Sequence, residues 1–299
     1  VKKWYRRFIS SSISTKLIIV NLAVFVLQSL TYIAFWLFQQ EQEIVEMLRV
    51  FYLPLDYLVL HAHIHTLFSF QFFHDPESIG HILMNMLTLF FTAPLFYQYM
   101  PEKRILPLYL AGGIAGALFT ILFYNIFPAF NLLAGISYLY GASASIMAIL
   151  FAATAFNPNY EVFVFNVFRA KILYIALFVL FVEIFSITSG NHGGHLSHIG
   201  GALFGYVYIA LLRKGFNLLT PLEKVIDWIV TYLKWPFAQE KEIRLVYTKY
   251  TRQVEETKTE TPSNNHSQEV IDRILDKISR SGYDSLSKDE KETLSGFSK

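Results

Sequence analysis

Six apolar runs, each long enough to cross a lipid bilayer, constrain this chain more than any other feature. A crossing takes roughly 20 residues at about 1.5 Å each. Runs of that length begin at Leu17, near Ile79, after the loop PEKR (101–104), at Tyr140, after Arg169 and Lys171, and after SGNHGGH. The expected fold is an all-α membrane protein, a bundle of six transmembrane helices with a cytoplasmic helical tail. Composition agrees: 54% of residues are hydrophobic and only 16% charged, with a mean hydropathy of +0.38, well outside the norm for soluble domains. A net charge of +2 carries no nucleic-acid footprint, so no nucleic-acid partner is expected. The absence of cysteine excludes disulfides, thiol chemistry and thiolate metal sites, and leaves the compartment open.

Residues 1–16 form a basic N-terminal collar, and residues 17–213 the six-span core. The first run, about Leu17–Phe38, is too long for a signal-peptide core and is read as an uncleaved span. Residues 39–80 are a long outer loop with one short amphipathic piece, whose aromatics are expected to lie at the membrane interface. The second span covers about Ile79–Tyr99, with Pro94 bending its far end. The third ends near Phe127 and carries Gly112 and Gly116 as a small-xxx-small contact face. The fourth spans Tyr140–Phe156, the fifth runs to about Thr188, and the sixth closes at Arg213 and Lys214. Lys and Arg fall on alternate flanks, which places both termini in the cytoplasm and starts the second, fourth and sixth spans from the outer side. Residues 214–250 hold an interfacial amphipathic helix opened by a capping box, Thr220 with Glu223. A polar linker (251–268) leads to a small helical hairpin (269–299), in which Gly282 stops the first helix and Ser287 with Glu290 caps the second. A cytoplasmic partner is the expected reason for that hairpin.

The orientation brings four polar groups to one depth. His81 and Asn85 share a helix face at i, i+4. Ser143 follows Gly141 in the first turn of its span, and His198, Gly201 and Gly205 share a face that can approach another helix closely. Serine needs a base to become a nucleophile, and histidine is the commonest one. The first N–H groups of a helix lack intrahelical partners. Ser143 can therefore offer its own N–H to a developing oxyanion, with His81 and Asn85 adding donors from the second span.

Rival readings exist at several positions. Ser145 lies about 200° around the helix from Ser143, so only one of them can face His198. His195 shares the face of His198 and is the rival base. His61, His63 and His65, or His192, His195 and His198, could be read as zinc ligands, but no acidic ligand stands nearby in the sequence and no His-Glu-x-x-His pattern occurs. Accordingly no metal and no cofactor are expected. Glu183, the one acid well inside a span, pairs with a polar neighbour or affects gating, and is given no catalytic role.

These motifs, HxxxN at His81/Asn85, GxS at Gly141–Ser143 and HxxGxxxG at His198/Gly201/Gly205, together resemble the rhomboid family of intramembrane serine proteases over about residues 50–213. The resemblance implies Ser143 as nucleophile, His198 as general base, and His81 and Asn85 as oxyanion donors. It also implies a six-helix bundle with a water-filled cavity, and transmembrane protein segments in the lipid bilayer as substrates. A multi-pass protein of the bacterial cytoplasmic membrane is the expected setting. The fifth span resembles the family's lateral gate, with Phe178, Phe181 and Phe185 as its bulky residues. The chain departs from the family pattern at Ala144, where glycine is usual and where a methyl could crowd the oxyanion side without abolishing the site. Met147 stands where some members stack a tyrosine on the histidine, no Trp-Arg pair lies near His65 and Thr66, and two residues including Pro76 are extra between His74 and His81. A rhomboid-like protein that binds transmembrane clients without cutting them is the alternative.

Overall fold

The computed structural model describes residues 8, 10–164, 168–234, 273, 274, 276–278 and 285–296. The chain forms two compact units, Val1–Gln239 and Glu240–Lys299.

Helix α1 (Ile13–Leu37) starts where the Ser12 side chain accepts from Thr15 N at 3.1 Å. The outer loop then folds into α2 (Glu41–Arg49), β1 (Leu53–Pro54), α3 (Tyr57–Leu60), α4 (Thr66–Ser69) and a 3₁₀ turn at Phe70–Phe72. Only part of its aromatic content faces outward as expected. Tyr57 and Phe68 are exposed, whereas Tyr52, Phe70, Leu53 and Leu55 are buried and make the loop a packed layer. The bundle continues with α5 (Ile79–Tyr97), α6 (Ile105–Ile126), the short α7 (Pro128–Ala134), β2 (Tyr138–Leu139) and α8 (Ser143–Phe156). After β3 (Glu161–Val164) and β4 (Phe168–Lys171) come α9 (Ile172–Phe185), α10 (His192–Leu212) and α11 (Thr220–Lys234).

Among the described residues, four helical segments are long and apolar enough to cross a membrane: Ile13–Leu37, Ile79–Tyr97, Glu102–Ile126 and His192–Leu212. The other two runs expected as spans are shorter apolar helices of 14 residues each, α8 and α9. Fourteen residues rise about 21 Å against a hydrocarbon thickness of about 30 Å. For α8 the physical reason is its surroundings. Every residue from Ala144 to Thr154 is buried, so this helix meets protein rather than lipid on all sides. Its far end is closed by Arg213, whose Nη2 donates to the Ala155 and Phe156 carbonyls at 2.9 and 2.8 Å.

The fold is not purely helical. β1 and β2 pair antiparallel, Leu53 with Leu139 and Pro54 with Tyr138. The stretch carrying Arg169 and Lys171, read from sequence as a connecting segment, is a hairpin in which Glu161 opposes Lys171 and Val164 opposes Phe168. The capping box expected at Thr220 and Glu223 does not form. Asn217 Oδ1 accepts from Leu219 N at 3.1 Å, while Glu223 accepts from Asn217 Nδ2 at 3.0 Å and lies 3.5 Å from Arg104.

In the second unit α12 (Lys288–Gly296) is capped as the sequence predicts. Glu290 N donates to Ser287 Oγ at 3.3 Å and Ser287 N to Glu290 Oε2 at 2.7 Å. Lys277 Nζ adds an ion pair to Glu290 at 2.9 Å. The linker 251–268 and Gly282 lie outside the described residues.

Candidate active site

Three helices meet at their backbones to build the site. A Cβ placed on Gly201 of α10 would fall on the Ala144 carbonyl of α8, and one on Gly205 would fall on that of Ala148. Gly116 of α6 likewise faces the Ser197 carbonyl and the Ala144 methyl, and Gly112 faces the Ala148 methyl. Glycine at these four points permits the approach. The Ala144 methyl is thus directed at α6. Ala144 is not among the residues lining the cavity that holds Ser143, so its methyl packs against α6 rather than into that space.

Ser143 is the first residue of α8, delivered there by a fixed entry. Gly141 N donates to Phe70 O at 2.9 Å, and Gly141 has a φ of +122°, a conformation that L side chains rarely adopt. A Cβ there would sit 3.1 Å from His81 Nε2 and 3.8 Å from Ser143 Oγ, so the two side chains flank one point. Ser78 caps α5, accepting from His81 N at 3.3 Å, and so holds the first turn that carries His81. Asn85, one turn on, is 7% exposed, and its Nδ2 is buried without a hydrogen-bond acceptor among the described residues. A buried amide donor without an acceptor is costly, on the order of 1–3 kcal/mol, and suits a site that receives an oxygen from elsewhere.

Ser143, His198, His81, Asn85 and Gly141 all line one cavity of about 760 Å³. Ser143 and His198 share that cavity without a hydrogen bond between them. Its walls also include Met84 and Thr88 of α5, Met147 and Leu150 of α8, and Val179 and Glu183 of α9. Phe178, Phe181 and Phe185 do not line it; they are 67%, 56% and 70% exposed and point away from the bundle. Ser145, the rival serine, is fully buried and its Oγ donates to Gln71 Oε1 at 2.9 Å, on the side of the outer loop. His195 does not line the cavity; its Nδ1 bonds Glu183 Oε2 at 2.6 Å and its Nε2 contacts Ser189 Oγ at 3.0 Å.

Sequence reasoning left Glu183 without a role at the site, yet its Oε2 also lies 2.9 Å from His198 Nδ1, off the line of a well-formed hydrogen bond. Charge inside a span was the available signal; the identity of its partners was not. His192 stands apart from this group, with Nδ1 on Ile187 O at 2.7 Å and its ring against Phe130.

Behind His81 lies His74, in the loop before α5. It is fully buried, with its ring 5.3 Å from that of His81. Burial, then the neighbouring His81, pushes its pKa down to about 3, so it is neutral at ordinary pH. The Phe72 backbone approaches the ring, but neither ring nitrogen has a well-formed hydrogen bond. Its backbone is held by Gln28 of α1, which donates to the His74 carbonyl and to Tyr52 Oη.

A bundle of apolar helices that gathers a serine, two histidines and an asparagine around one cavity defines a polytopic membrane protein with a polar site among its helices. The Rhomboid domain family matches residues 61–215, more than half of the sequence, and the chain belongs to the rhomboid family. A family of unknown function, DUF6576, matches residues 262–299. RHOMBOID-like protein 12, mitochondrial, of Arabidopsis thaliana is 25% identical over 223 residues, covering 72% of this chain. The chain spans 62% of the length of that relative.

Proposed function

We propose that this protein is an intramembrane serine endopeptidase that cleaves transmembrane segments of membrane proteins. The observation carrying this reading is the convergence of Ser143, His198, His81 and Asn85, from three helices, on one cavity. Ser143 Oγ attacks the scissile carbonyl carbon while His198 Nε2 takes its proton. The C=O π pair moves onto oxygen, and that oxyanion is received by the Ser143 N–H, Asn85 Nδ2 and His81 Nε2. His198 then gives the proton to the leaving amine. Water, activated by the same base, hydrolyses the acyl-enzyme and restores Ser143. Glu183 behind His198 Nδ1 keeps the ring turned so that Nε2 faces the serine and supports the imidazolium that forms, a tautomer assigned from the contacts.

The gap between α5 and α9, lined by Met84, Thr88 and Val179, is the entry for the substrate helix. α8 and α9 complete six passes, with both termini cytoplasmic and the cavity open to the outer side. The C-terminal hairpin serves as a docking module for a cytoplasmic partner.

A fluorophosphonate probe on detergent-solubilised protein tests this without a known substrate. Labelling lost in Ser143→Ala and His198→Ala but kept in Ser145→Ala is the expected pattern. Folded wild type that does not label transfers the reading to a client-binding, non-cleaving rhomboid-like protein.

A further inference from the structure

The cluster behind the proposed base has the ligand set of a metal site. Glu183 Oε2, His195 Nδ1 and His198 Nδ1 all lie within 4.8 Å of one another, with the carboxylate 2.6 and 2.9 Å from the two nitrogens. Two imidazoles and one carboxylate suit zinc better than magnesium or calcium. In a tetrahedral zinc sphere with bonds of about 2.0–2.2 Å, ligand atoms stand roughly 3.3 Å apart. The carboxylate therefore needs to move off the two nitrogens by roughly 0.4 to 0.7 Å, while the nitrogens stand within 4.8 Å of each other. His195 and His198 come from one face of α10 at i, i+3, and Glu183 from α9, so two helices fix the donors. Side chains are 14% to 18% exposed, and His198 Nδ1 is buried without a well-formed hydrogen bond.

The surrounding contacts set His195 for ligation. Ser189 Oγ gives its proton to Ser186 O at 2.6 Å, so in its 3.0 Å contact with His195 Nε2 the hydroxyl is the acceptor and Nε2 carries the hydrogen. With no metal bound, Nδ1 also carries a hydrogen in its 2.6 Å bond to Glu183 Oε2; a metal at Nδ1 replaces that hydrogen, while Nε2 keeps its own, oriented by an outer-shell partner on the far nitrogen.

We propose that Glu183, His195 and His198 bind one Zn²⁺ ion, and that its occupancy switches off His198 as a base. The second clause rests on the protease reading above. A neutral imidazole has one N–H. Metal on Nδ1 forces that hydrogen onto Nε2, which then donates and cannot take the proton of Ser143. Catalysis needs the opposite tautomer, so the two states exclude one another.

Zinc binding to the full chain is measured by equilibrium dialysis, in a His63→Gln/His65→Gln background that removes two histidines of the exposed loop. Binding is read on both wild-type and Ser143→Ala protein, so that it does not depend on protease activity. One ion per chain is expected in both, and Co²⁺ in its place gives the visible bands of a tetrahedral site. His195→Gln weakens binding roughly 10- to 100-fold, His195→Cys restores it, and His192→Gln leaves it intact. In the probe assay, zinc lowers labelling at least about tenfold in the parent and less than about twofold in His195→Gln, each relative to its own metal-free rate. No zinc bound by folded parent protein, or equal losses from His192→Gln and His195→Gln, overturns the site. Stoichiometric binding in a protein that labels equally with and without zinc overturns the switch and leaves the site. Failure of all labelling with binding intact overturns the protease reading instead.

Discussion

Gly201→Ala perturbs the crossing that brings α10 over α8. The added methyl lands on the Ala144 carbonyl, which is backbone and cannot swing aside as a flexible side chain would. Restoring an ordinary contact of about 3.4 Å or more requires the two helices to part by about 1 Å. Overpacking of this kind costs about 1–3 kcal/mol in stability. Ala144 adjoins Ser143 and Gly201 lies three residues from His198, so the same displacement falls on the proposed reacting pair, where a 1 Å error costs on the order of 10²-fold in rate. The assay is the fluorophosphonate labelling rate alongside thermal unfolding in detergent. Gly135→Ala is the control: nothing lies within 4 Å of its Cβ, and its φ of −70° is open to any residue. If Gly201→Ala labels within about twofold of wild type and melts at the same temperature, the close α8–α10 contact does not hold the site together.

Glu183→Gln is expected to lower kcat at least about tenfold with KM little changed, because it removes charge that supports the imidazolium only as it forms; Glu183→Asp recovers part of that loss, and equal activity in all three refutes the assignment. His74 makes stability depend on pH. Its folded pKa of about 3 lies below the ordinary 6.5, so the unfolded state binds the proton first and stability is lost as pH falls from 6.5 toward 3. At 1.36 kcal/mol per unit this amounts to about 5 kcal/mol at the acid end. His74→Phe should flatten the fall of the melting temperature across that window, and an unchanged slope counts against a buried neutral histidine. Gly141→Ala combines a strained φ with a methyl 3.1 Å from His81 Nε2; a stability cost of about 1–3 kcal/mol and a lower kcat are expected, read by melting and by labelling rate.

That His81, Asn85, Ser143 and His198 share one cavity was legible because each motif is local. His81 with Asn85, and His198 with Gly201 and Gly205, lie on single helix faces, and 3.6-residue periodicity is written directly into sequence. The helix caps at Ser287 and Glu290 were legible for the same reason. Glycine at Gly112, Gly116, Gly201 and Gly205 announced close helix contacts, since in lipid small residues let backbones meet.

What depended on three dimensions was everything that joined distant segments. Glu183 is on a different helix from His195 and His198, and no spacing rule links a carboxylate on α9 to an imidazole on α10. Gln71 in the outer loop holds the Ser145 hydroxyl, while Ser143 lines the cavity, a difference that no local pattern carries. The sequence expectation carried the fourth span back to Tyr140 and the fifth on to about Thr188, a few residues beyond the ends of α8 and α9, which the structure keeps short. Composition records how greasy a segment is, while only packing decides whether its neighbour is lipid, protein or a polar cavity.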